Sequence, residues 1–111
     1  MLIDTHAHLY DKAFENDRAA MIERAQQVGV QQFLLPNIDE SSIAGMLELE
    51  EEYPGRCFPM MGLHPCSVKE NYLSELAWVR KWLDQRDFIA IGEIGIDLYW
   101  DKTFLEQQKA A

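Results

Sequence analysis

Two histidines one residue apart, His6 and His8, close a short apolar run in the stretch IDTHAHLY at residues 3–10. A strand sends alternate side chains to one face, so the two imidazoles point the same way. Asp4 shares that face one step deeper and is placed to accept a hydrogen bond from a ring N–H. Imidazole pairs suit zinc, manganese, iron or nickel, whereas carboxylates and water suit magnesium or manganese. Two polar residues closing a strand would look the same, and the pair alone does not decide.

A carboxylate further along bears on the choice. Glu93, in IGEIGID at residues 91–97, follows Gly92 on an otherwise apolar run. A buried carboxylate there is costly unless it is paired with a charge or bound to a metal. A salt bridge to a neighbouring strand would also satisfy it. His64, in MGLHP, is placed either to touch a substrate oxygen and move a proton near neutral pH, or to cap the chain before Pro65. Asp97 and Tyr99 carry weaker signals, which helix capping or packing explains equally well.

The elements that must position these residues follow from periodicity. Short apolar runs at Leu2-Ile3, Phe33–Leu35, Cys57–Leu63 and Phe88–Ile91 are bounded by polar or turn residues, as buried parallel strands are. Amphipathic stretches lie between them. Residues 17–28 place Met21, Ala25 and Val28 on one face, with Gly29 as a C-terminal cap. Residues 41–53 place Ile43, Met46 and Leu47 together and stop at Pro54-Gly55. Residues 72–84 turn Leu73, Leu76, Val79, Trp82 and Leu83 inward, and Trp78 and Trp82 form a packing stripe. The order β-α-β-α-β-α-β implies an α/β fold with a parallel sheet, in βα units of about 25–30 residues. The polar candidates then fall at the C-terminal ends of successive strands: His6 and His8, Asn37, His64, and Glu93 with Asp97. Parallel α/β folds build their sites at that edge.

The final stretch, DKTFLEQQKAA, opens a fourth helix that Asp101 or Thr103 can cap, with Phe104 and Gln108 spaced i,i+4. The pattern stops within two turns, which predicts that the 111 residues are part of a longer product. At this unit length a closed eight-unit barrel needs on the order of 230 residues. Four strands alone would leave sheet edges and inward apolar residues such as Ile3, Leu35 and Met61 uncovered, so self-association is expected.

Composition sets outer bounds. The chain is 48% hydrophobic and 26% charged, enough apolar content for a core. Its net charge of −9 argues against a surface that coats nucleic acid but allows phosphate chemistry where bound metal supplies positive charge. The run Glu48, Glu50, Glu51 and Glu52 reads as a solvated helix face. Cys57 and Cys66 have no zinc-ribbon spacing; Cys57 reads as a small hydrophobe, while Cys66 follows His64-Pro65. No membrane span and no signal peptide are evident, so no membrane role and a cytoplasmic location are expected.

In this order and at these distances, IDTHAHLY, GLHP and IGEIGIDLYWDKTFLEQQ resemble the TatD family of metal-dependent deoxyribonucleases. The resemblance runs the length of the chain, and the first and last motifs together are specific. It implies the N-terminal half (residues 1–111) of a (β/α)8 TIM-type barrel that hydrolyses phosphodiesters, acting on a DNA end. Two divalent ions per complete barrel (Mg, Mn or Zn) would be held there. Carried over by position, His6 and His8 would hold one metal, Glu93 would bridge both, and His64 would sit near the scissile phosphate. The family's two later histidines and later aspartate have no counterpart among the three histidines of this chain, which are all placed already. His-x-His at a first strand also occurs in amidohydrolase-like and PHP-type hydrolases of small molecules. That alternative stays open, as does a non-catalytic fragment.

Overall fold

A computed structural model describes residues 1–111. Three parallel strands, β1 (Leu2–Asp4), β2 (Val30–Leu35) and β3 (Cys57–Pro59), lie side by side in chain order. They are connected through α1 (Arg18–Gln27) and α2 (Ile43–Glu52), with α3 (Tyr72–Gln85) after β3 and α4 (Leu105–Ala110) near the end. These are the βα units of a TIM-type barrel. Along β2 the alternation is plain: Phe33 and Leu35 are buried on one face, while Leu34 between them is only half-buried. That face packs with Ile22 of α1, Met46 and Leu49 of α2, Cys57, Met61 and Val79 into one core. Burial pushes the Cys57 thiol up to about 11, as befits a packed, inert sulfur.

The helices lie where periodicity puts them, with corrections at their ends. Gly29 follows α1 with φ +95°, the left-handed conformation of a helix-terminating glycine. Val28 is 73% exposed, because the helix ends at Gln27 and Val28 leaves it as the C-cap; Ile22 takes the buried position. In α3, Val79 is buried and Leu76, Trp78, Trp82 and Leu83 pack against the core. Leu73, one turn nearer the start, is exposed. Asp101 accepts the Thr103 N–H at 2.8 Å, but α4 starts only at Leu105 with Phe104 as N-cap, so this turn precedes the helix instead of capping it. Glu50 is not simply solvated either. It receives both arms of the Arg86 guanidinium at 2.6 and 2.8 Å, tying α2 to the end of α3.

The inward-facing residues also need correction. Leu35 and Met61 are fully buried, because they share the face that the helices cover. Ile3 stays exposed, in company with Leu2, Ile89, Ile91, Ile94 and Ile96.

The expected fourth strand is the largest difference. Residues 88–91 run beside β3 and form a single parallel bridge, Met61 to Ile91, in place of a ladder. Ile89 N–H donates to the Pro59 carbonyl and Gly92 N–H to that of Met61. The pairing then changes partner: Asn37 N–H donates to the Gly92 carbonyl and Glu93 N–H to that of Asn37, each at 3.1 Å. The segment thus leaves β3 and crosses to the end of β2. Asn37, which has no solvent exposure, anchors the crossing. Its Nδ2 donates to the carbonyls of Gly62 (3.0 Å) and Asp39 (3.1 Å), and its Oδ1 accepts the Ser42 hydroxyl at 2.7 Å. Leaving any one of these buried partners unsatisfied would cost about 1–3 kcal/mol. Asn37 is therefore a brace beneath the Glu93 segment.

Candidate metal centre

The loop after β1 is built by a local turn. Asp4 Oδ1 accepts the backbone N–H of His6 at 3.1 Å, so this carboxylate shapes the turn and does not hold a histidine ring as the sequence suggested. The strand has ended by then, and the chain curls toward its own aspartate. Ala7 N–H donates to the Leu34 carbonyl, fixing the loop against β2. Ala7 is buried and His6 and His8 flank it, so the alternation that aligns them outlasts the strand itself.

Glu93 gathers the three histidines. Its Oε2 lies 3.3 Å from His6 Nε2 and 3.2 Å from His8 Nε2, and its Oε1 lies 3.2 Å from His64 Nε2. His6 Nε2 and His8 Nε2 are themselves 3.2 Å apart. His6, His8 and Glu93 thus offer three ligand atoms within 4.8 Å of one another. Asp97 is not part of this group. It accepts the Tyr99 N–H at 3.0 Å and the Cys66 thiol at 3.3 Å, and these bonds, the first above all, hold its carboxyl below the ordinary range. Tyr99 itself is exposed. Gln108 fastens the Asp97 backbone with two hydrogen bonds, pinning the loop that follows Glu93 to α4.

The groups behind the rings assign their protons. His64 Nδ1 accepts the Cys66 backbone N–H at 3.0 Å, so its proton is on Nε2 and is donated to Glu93 Oε1. His8 Nδ1 meets the Tyr10 hydroxyl at 2.8 Å, and that hydroxyl donates to the Pro36 carbonyl. Burial holds His8 below its ordinary value, outweighing the pull of Glu93 in the other direction. Burial likewise pushes the Tyr10 phenol up, keeping it a neutral hydroxyl.

Oε2 of Glu93 is buried without a hydrogen-bond partner, although two imidazole nitrogens face it at contact distance. A proton on His6 Nε2 can serve Oε2 or His8 Nε2, but not both. With His8 Nε2 bare, one lone pair faces another unless a cation sits between them, and a buried, unserved carboxylate oxygen is expensive. Two imidazoles and a carboxylate are the donor set of a divalent transition metal, so these residues fit such an ion. Asn37 is legible from sequence as a polar residue at the end of the second strand, whereas Tyr10 and the Cys66 N–H are not identified as supports there. Tyr10 had a legible signal, since it stands two residues beyond His8 and continues the alternation.

Comparison with known proteins follows the same lines. Residues 3–111 match the family described as TatD related DNase. The chain is 34% identical over 109 residues to a Bacillus subtilis protein named uncharacterized metal-dependent hydrolase YabD, covering 98% of this chain and 42% of that protein. It is 34% identical over 112 residues to the 3'-5' ssDNA/RNA exonuclease TatD of Musicola paradisiaca, with the same coverage. The crystal structure of YJJV, a TatD homologue from Escherichia coli, superposes with a TM-score of 0.86 at 32% identity, over 98% of this chain and 42% of that one. The chain thus spans less than half the length of these relatives.

The position of Glu93 depends on one close approach. A Cβ at Gly62 would lie 2.7 Å from both the Glu93 carbonyl oxygen and the Gly92 carbonyl carbon, closer than real contacts allow. We predict that Gly62→Ala lowers stability by about 1–3 kcal/mol and weakens divalent-metal binding. Gly45→Ala, whose Cβ would find its nearest neighbour at 3.7 Å, should be neutral or stabilising by up to about 1 kcal/mol in α2. Urea melts and metal titrations of the two variants check this; equal metal affinity in both would refute the assigned role of Gly62.

Proposed function

Because the chain belongs to the TatD related DNase family, we propose that it is the N-terminal half of a metal-dependent phosphodiesterase barrel that removes nucleotides from a DNA end. The observation that carries this reading is the convergence of His6, His8 and Glu93 Oε2 on one point at the C-terminal edge of the sheet. His6 and His8 would hold a divalent ion (Mg, Mn or Zn) with Glu93. A bound ion of this kind supplies Lewis acidity toward a phosphoryl oxygen and acidifies water near neutral pH.

The chain's own residues have distinct tasks. Glu93 gives Oε2 to the His6–His8 pair while Oε1 is occupied by the His64 N–H. Glu93 would help hold a second ion only with Oε1 released from the His64 N–H. The freed Nε2–H of His64 can then donate to a phosphate oxygen, a role that suits its half-buried position at the rim. The remaining ligands and the base would come from outside these residues. A nuclease that grips only a strand end needs no long basic groove, which accommodates the net charge of −9.

The test is an assay of the intact gene product on single-stranded DNA with Mn²⁺. Nucleotides should be released from an end, the release should stop on chelation, and Glu93→Gln should lower it on the order of 100-fold or more. Metal binding accompanied by hydrolysis of small esters or amides, but no attack on oligonucleotides, would favour an amidohydrolase- or PHP-type enzyme instead.

The exposed Leu2, Ile3, Ile89, Ile91, Ile94 and Ile96, together with the open edge of β1, support association of the isolated 111-residue chain with itself. Gel filtration should show a species larger than the 12.9 kDa monomer; a stable monomer would exclude this association.

A further inference from the structure

We infer that the Tyr10 hydroxyl is a positioning group that locks His8 in the tautomer able to ligate metal. The inference rests on the metal-site reading above but concerns a residue that the reading does not use. Tyr10 is buried, and its phenol has a single proton. The Pro36 carbonyl can only accept, so that proton is committed to it. The phenol oxygen is left with lone pairs alone to offer His8 Nδ1, 2.8 Å away. A hydrogen bond forms there only if Nδ1 carries the ring proton. For a neutral imidazole this leaves Nε2 bare and aimed at His6 Nε2 and Glu93 Oε2. The neighbouring histidine on the same carboxylate is set the opposite way, because the Cys66 N–H donates to His64 Nδ1 and leaves its proton on Nε2. One ring is thus prepared as a ligand and the other as a donor, by groups that never touch the metal position.

The relay also fixes geometry. Pro36 directly follows β2 and precedes Asn37, whose backbone holds Gly92 and Glu93. Through Tyr10, His8 is therefore referred to the same point of the sheet as Glu93. The two rings meet edge to face, with centroids 5.7 Å apart and planes at 86°, so the phenol also limits rotation of the imidazole.

The test reads the tautomer directly, in metal-free protein, by long-range proton–nitrogen correlation on ¹⁵N-histidine-labelled chain. With three histidines, His6→Gln and His64→Gln variants assign the signals. His8 should show a protonated Nδ1 and a bare Nε2, and Tyr10→Phe, which keeps the ring and its packing, should give a mixture of both forms. Zn²⁺ affinity should fall about 10- to 100-fold in Tyr10→Phe, with the melting temperature and the His64 signals little changed. Wild-type His8 found protonated on Nε2 would overturn the inference without any variant. So would Tyr10→Phe with unaltered His8 signals and unaltered Zn²⁺ affinity. Should the wild-type chain show the Nδ1–H form yet take up no Zn²⁺, the tautomer lock would stand and the metal reading would fail.

Discussion

A carboxylate oxygen buried against two imidazole nitrogens is the constraint on which the rest of this structure depends. Glu93 cannot be placed there cheaply, since a charge withdrawn from water needs equivalent partners. His64 serves one of its oxygens with a proton. The other, Oε2, is buried without a hydrogen-bond partner beside the Nε2 atoms of His6 and His8. On the proposed reading, an arrangement that is unfavourable for a metal-free protein would become favourable with a divalent ion among the three ligand atoms.

The fold holds that arrangement by bringing separate strand ends to one edge. The loop after β1 delivers His6 and His8 and is held to β2 by the Ala7 N–H. The turn after β3 delivers His64, and the segment beyond α3 delivers Glu93 by abandoning β3 for Asn37. Gly62 permits the crossing by having no side chain where the Glu93 backbone passes. None of these contacts is strong alone. Together they define the position of a carboxylate from two neighbouring strand ends, as a site of this kind requires. Exposed apolar residues on Ile3, Ile91 and Ile94 mark surface that the helices of this chain leave uncovered.

Periodicity in the sequence revealed the helices and the parallel order of the strands, because apolar spacing records which face is buried. The convergence of His6, His8, His64 and Glu93 could be anticipated from their common position at strand ends and from family resemblance. Local detail was harder to see. The fourth strand reads as one from its run of apolar residues, but hydrogen bonding to Asn37 redirects it, and apolar pattern carries no information about where backbone amides will pair. Strand geometry makes Asp4 a partner for a histidine ring, but β1 ends at Asp4 and its carboxylate accepts the nearer His6 backbone N–H instead. Leu35 and Met61 read as uncovered from sequence but are buried, because strand sequences do not say which side the helices take. An aromatic at the Tyr10 spacing reads most simply as a core residue, which it also is.

The most direct test of the account is the metal content of the purified 111-residue chain after equilibration with Mn²⁺ or Zn²⁺ and removal of free ion, measured by elemental analysis alongside His6→Ala. Close to one ion should be retained per chain and lost in the variant while the fold persists. A chain that folds with His6, His8 and Glu93 intact and retains no ion, or retains it equally in His6→Ala, would contradict it.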